Sequence, residues 1–140
     1  MSVLVDTSVW SLALRRRQVD EESEIVRELR ALIADGLVVM IGPIRQELLS
    51  GIPNKRRFGV LRDHLRAFPD LPLEMIDFER AAEQFTACRL RGIQGSNTDF
   101  LICAVSERLE LSIFTTDDDF THYSEHLPIR LHHARFNQSS

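Results

Sequence analysis

Apolar residues recur along the chain in two rhythms, and the switch between them marks the elements. Ser2-Val3-Leu4-Val5 is a short continuous apolar run, the pattern of a buried strand, and Asp6-Thr7-Ser8 ends it and offers capping oxygens for a helix. From Glu21 to Ala34 the side chains Ile25, Leu29, Leu32 and Ile33 recur at helical spacing, and Asp35-Gly36 stops that helix. Leu37 to Ile41 reads as a second strand, broken by Gly42-Pro43, and a short helix from Ile44 to Leu49 ends at Ser50-Gly51. Asn54 to Ala67 is a basic helix with Leu61 and Leu65 on one face, closed by Pro69 and Pro72. Asp77 is expected to cap a long helix whose buried stripe is Phe78, Ala81, Ala82, Phe85 and Cys88, with Gly92 as its stop. Ser96 opens another helix that turns Phe100, Leu101, Ala104, Val105 and Leu109 inward. Leu111 to Thr115 is a third strand and Ile129-Arg130-Leu131 a fourth at one edge, and 134–140 is expected to be a flexible tail.

Strands alternating with helices predict an α/β fold, a parallel sheet with helices on both faces. The 140 residues suit one domain, expected over 1–133, and no repeat or linker divides them. In open sheets of this kind the functional crevice lies at the carboxyl ends of the strands. Acidic residues stand just there: Asp6 after the first strand, Asp117 after the third, and Glu47 a partial turn beyond the second. Asp99 sits in the first turn of its own helix, so four acids can converge on one rim.

Each acid has a bland explanation alone. Asp6 can be a cap and Glu47 a surface residue; Ser96-Asn97-Thr98-Asp99 fits a capping box, and Asp117-Asp118-Asp119 fits a polar helix start. Together they are harder to dismiss, because gathered carboxylates repel one another until a proton or a cation neutralises them. Oxygen-only ligands favour Mg²⁺ or Mn²⁺ over zinc, and such a site suits phosphodiester hydrolysis. Thr7, Ser8, Thr115 and Thr116 beside the acids are candidates to hydrogen-bond the carboxylates or bound waters.

Four segments carry a family resemblance: Val3-Leu4-Val5-Asp6-Thr7-Ser8, Ile44-Arg45-Gln46-Glu47-Leu48-Leu49-Ser50-Gly51, Asp99-Phe100-Leu101-Ile102-Cys103-Ala104, and Thr115-Thr116-Asp117-Asp118-Asp119-Phe120. In order, spacing and placement the chain resembles PIN-domain proteins, and more narrowly the VapC-type toxin ribonucleases of toxin–antitoxin pairs. The resemblance implies a PIN-like three-layer α/β/α domain and Mg²⁺- or Mn²⁺-dependent endoribonuclease activity. Asp6, Glu47, Asp99 and Asp117 then occupy the four acidic positions, with Asp119 as an auxiliary ligand. It also implies an RNA substrate, a homodimer and a VapB-type antitoxin as partner.

Net charge is −4, so the whole chain makes no general case for binding nucleic acid. The cations are nonetheless almost all arginine, Lys55 being the sole lysine; codon bias explains that, and so does phosphate recognition. Arg15-Arg16-Arg17 and Lys55-Arg56-Arg57, with Arg62 and Arg66, are either an RNA-backbone footprint, chiefly through Arg15, Arg16, Arg56 and Arg57, or a solvated helix face. Two cysteines, Cys88 and Cys103, are too few for a disulfide framework and suit a reducing cytoplasm. No apolar run approaches the ~20 residues of a membrane span, and no basic segment precedes Val3 as in a secretory signal. His122 and His126 are four apart, a weak metal spacing, and Trp10 is most simply core. Phosphate-loop and serine-elbow motifs are lacking. The alternatives in another class are a receiver-like module, which lacks its late-strand lysine here, and a PIN scaffold that binds protein without cutting.

Overall fold

The computed structural model describes residues 1–15 and 23–135, with the side chain of Arg15 outside that description. In chain order the elements are β1 (Val3–Val5), α1 (Thr7–Arg15), α2 (Glu24–Ala34), β2 (Val38–Val39), α3 (Gly42–Leu49), α4 (Lys55–Leu65), α5 (Met75–Arg89), α6 (Asn97–Leu109), β3 (Ser112–Phe114), α7 (Asp119–Ser124) and β4 (Arg130–Leu131). The four strands form one parallel sheet in the order β2-β1-β3-β4, with Val3 opposite Val38, Val5 opposite Phe114 and Ile113 opposite Leu131. Successive strand side chains point to opposite faces, yet Val3, Leu4 and Val5 are all buried, so helices cover the sheet on both sides. That is the expected α/β/α layering. Because the strands are parallel, their carboxyl ends share one edge, and β1 and β3 deliver Asp6 and Thr115 to it side by side.

Helix α6 is buried continuously from Phe100 to Ser106, packed on β3 and covered by α5. Its position inverts part of the expected pattern on α5. The buried residues there are Asp77, Ala81, Gln84 and Cys88, whereas Phe78 is 52% exposed and Ala82 is also exposed. The reason is electrostatic. Asp77 lies under α6, where its carboxylate accepts from Arg108 Nε at 2.7 Å and Arg108 Nη2 at 2.9 Å. Gln84 likewise donates to Glu107 at 3.0 Å. Asp77 is therefore not the N-cap: Glu74 is, and Asp77 closes the reciprocal capping box from the third helical position.

Other boundaries differ by a turn or less. Gly42 and Pro43 begin α3 rather than merely breaking β2, since proline tolerates the first helical turn. Helix α2 starts at Glu24 behind a Ser23 cap, Ile33 and Leu109 are partly exposed, and β2 is two residues long with Met40 bridging to Asp70. Glu28 of α2 is fully buried and accepts from Arg135 Nε at 2.8 Å and the Arg135 backbone N–H at 3.2 Å, with His132 Nε2 at 2.6 Å. Ala134 is buried as well and Arg135 is bound to Glu28, so the first two residues of the tail expected over 134–140 are packed; its remainder, 136–140, lies outside the described residues. Among the described residues no helix is long and apolar enough to cross a membrane.

Candidate functional site

The site begins where β1 ends. The Asp6 backbone N–H donates to Phe114 O at 2.9 Å, one more rung of the sheet, while its carbonyl accepts the N–H groups of Val9 and Trp10 and starts α1. Its side chain is 5% exposed, and two hydroxyls compensate the buried carboxylate. Ser8 Oγ and Thr115 Oγ1 each donate to Asp6 Oδ2 at 2.8 Å. Thr115 Oγ1 also accepts the Asp117 N–H at 3.0 Å, and Ser8 Oγ accepts the Thr116 N–H at 3.0 Å. The loop after β3 is thus stitched to the end of β1 and the first turn of α1. Of the four neighbouring hydroxyl residues, Ser8 and Thr115 bind Asp6, Thr7 donates to Glu47 Oε1 at 2.5 Å, and Thr116 takes part through its backbone.

Asp117 turns the chain into α7 by accepting the Asp119 N–H at 2.9 Å, and the positive end of the helix favours the acids placed there. Asp99 enters from α6, whose Ser96 cap accepts the Asp99 N–H at 3.1 Å. The Asp99 carboxylate accepts the Tyr123 hydroxyl at 2.7 Å. Carboxylate oxygens of Asp99, Asp117 and Asp119 all lie within 4.8 Å of one another. Burial, with added repulsion from Asp6 and Asp117, holds the Asp99 carboxyl above its ordinary value despite the bonds from Tyr123 and Ser96. Burial and the bond to Asp99 in turn push the Tyr123 phenol far up, so it remains a donor.

Asp99 and Asp117 therefore come together, Asp119 joins them, and Asp6 adds its charge from the floor of the site. Asp6 and Glu47 fall outside the 4.8 Å group. Glu47 is exposed on α3 and reaches the site's edge through its bond to Thr7. The donors are all oxygen, crowded and like-charged, which suits a hard divalent cation. Tyr123, the sole tyrosine, was not legible as a site residue; its signal is its place six residues beyond Asp117, about one turn into α7.

The remaining candidates lie elsewhere. Arg56 and Arg57 are exposed on the first turn of α4, beside a groove that Leu14, Val60 and Leu61 line. Arg16 and the Arg15 side chain lie outside the described residues. His126 follows the end of α7 and faces Arg91 at 3.4 Å, so it does not share a helix with His122. Trp10 is core, packed edge-on to Phe68, and both cysteines are free and buried, their thiols pushed up chiefly by that burial.

An open parallel sheet with carboxylates gathered at the carboxyl edge defines the class. The PIN domain family model matches residues 3–126, and the chain belongs to that family. Comparison with curated proteins finds no match. Among solved structures the chain is similar to FitAcB from Neisseria gonorrhoeae, at 20% identity and a TM-score of 0.73, covering 94% of this chain and 97% of that one. It is similar to VapBC2 from Rickettsia felis bound to a DNA fragment from their promoter, at 16% identity and a TM-score of 0.74, covering 94% and 98%. A structure of FitAB bound to an IR36 DNA fragment matches at 18% identity and a TM-score of 0.72, covering 93% of each chain.

Proposed function

We propose that the chain is a Mg²⁺- or Mn²⁺-dependent endoribonuclease that acts as the toxin of a toxin–antitoxin pair. The observation that carries this reading is the cluster of Asp99, Asp117 and Asp119 within 4.8 Å at the sheet's carboxyl edge, with Asp6 behind it. The four sequence segments that resemble VapC-type toxins all border that edge, which supports the narrower assignment, and receiver-like signalling is set aside by membership of the PIN family.

Asp6, Asp99 and Asp117 would hold the cation, with Asp119 as auxiliary; the charge of Asp6 is felt at Asp99, which supports its share in the site. When bound, a divalent cation activates water and offsets charge on the scissile phosphate. Glu47, held by its bond from Thr7, would accept a proton from, or position, the attacking water. Ser8 and Thr115 keep Asp6 in one rotamer by giving it two hydroxyl donors. Arg56 and Arg57 would draw an RNA backbone toward the groove by phosphate attraction. In this reading the partners are an RNA substrate, a VapB-type antitoxin and a second copy of the chain, in the cytoplasm.

The test is 5′-end sequencing of cellular RNA after brief induction of wild type and of Asp6→Asn. New discrete ends made by wild type alone are the expected result. Identical maps from both proteins, with no new ends in either and no growth arrest, would replace this reading with a PIN scaffold that binds protein without cutting.

A further inference from the structure

We propose that Tyr123 is the positioning residue for Asp99: its hydroxyl, seated against Gly95, holds the carboxylate in the acidic cluster and sets how tightly the centre takes a divalent cation. The inference rests on the metal-dependent reading above. The Tyr123 hydroxyl donates to Asp99 Oδ2 at 2.7 Å, and the side chain is fully buried. Its ring is wedged between Phe100, with centroids 4.9 Å apart, and Phe120 at 5.1 Å, so the hydroxyl has one place to be. On the other side the fit is as close. A Cβ at residue 95 would stand 2.2 Å from the Tyr123 hydroxyl and 2.9 Å from the Phe100 ring, so only glycine lets the segment before α6 lie against the phenol.

The next residue, Ser96, caps α6 at the Asp99 N–H. Asp99 is therefore fixed at its backbone by Ser96 and at its carboxylate chiefly by Tyr123. The second bond has work to do, because Asp99 shares its surroundings with Asp117, Asp119 and Asp6, and without a donor the carboxylate would rotate away from its like-charged neighbours. The hydroxyl uses one of the roughly four acceptor positions of a carboxylate and leaves the others for a cation. A merely structural phenol would instead stabilise the core and leave cation binding untouched.

The experiment measures Mn²⁺ affinity of the full chain by electron paramagnetic resonance, for wild type, Tyr123→Phe, Gly95→Ala and Asp6→Asn. Tyr123→Phe should keep its far-ultraviolet circular dichroism and lose about 10- to 100-fold in Mn²⁺ affinity, the usual effect of removing an outer-shell partner. Its RNA cleavage should return toward wild type as Mn²⁺ is raised. Gly95→Ala, which displaces the hydroxyl without deleting it, should weaken Mn²⁺ binding in the same direction. Wild-type affinity in a folded Tyr123→Phe or Gly95→Ala protein overturns the positioning role while leaving the metal-dependent reading intact. A wild type that binds Mn²⁺ no better than Asp6→Asn overturns both.

Discussion

At the scale of single residues, the hydroxyl of Thr115 is the hinge of the site. It donates to Asp6 and accepts from the Asp117 N–H, so one oxygen links the ends of β1 and β3. Thr115→Val keeps the shape but leaves a buried carboxylate short of a donor and an amide short of an acceptor. It should cost about 1–3 kcal/mol, read as a lower urea midpoint; an unchanged midpoint would show that water replaces the hydroxyl without loss. The identity of Thr115 as a companion of the acids was visible in the chain, because it lies two residues before Asp117 at a strand end. Tyr123 was not, since a tyrosine on a short helix has no periodic pattern to mark it, and only packing against Gly95 and Phe100 shows which way its hydroxyl points.

Elements show the same division. Hydrophobic spacing located the helices but misplaced the edge of the buried face of α5: Ala81 and Cys88 are in as expected, Phe78 is out, and Asp77 and Gln84 are in. Charge pairing with α6 decided that, and pairing between distant elements leaves no local signature. Glu28 on α2 is a second case, buried and bonded to His132 and Arg135 more than 100 residues later. Burial alone would raise its carboxyl, but the bonds from His132 and Arg135 outweigh that and hold it below its ordinary value. A carboxylate depressed in the folded state stabilises above its unfolded value, and that stability is lost as pH falls through the folded value. Asp77, held down by Arg108 against the same burial effect, behaves alike. Glu28→Gln should therefore lose about 1–3 kcal/mol near neutrality. Its stability should also fall less steeply than that of wild type between about pH 5 and pH 3. Parallel acid unfolding curves for the two proteins would contradict this.

For the whole molecule, gathering carboxylates at one edge of the sheet costs stability and leaves a cluster whose chemistry suits a divalent cation. Asp99 carries that cost, its carboxyl raised first by burial and further by Asp6 and Asp117. Asp99→Asn retains an acceptor for Tyr123 and removes the charge, so without metal it should melt no lower than wild type. Mg²⁺ should raise the melting temperature of wild type, by the equivalent of about 2.7 kcal/mol at a hundredfold excess over the dissociation constant, and leave Asp99→Asn unmoved. A metal-free Asp99→Asn protein melting well below wild type would instead assign Asp99 to the structure of α6. By itself, the sequence determined the alternation of strands and helices and the placing of acids just after strands, because hydrophobic periodicity and strand-end polarity are local properties of the chain. Only the tertiary structure decided which acids meet. Parallel pairing of β1 with β3 sets Asp6 beside Thr115, the approach of α7 to α6 brings Asp119 and Tyr123 to Asp99, and Glu47 is left at the rim. Those meetings depend on distances through space between residues far apart in the chain, and no spacing along the chain encodes them.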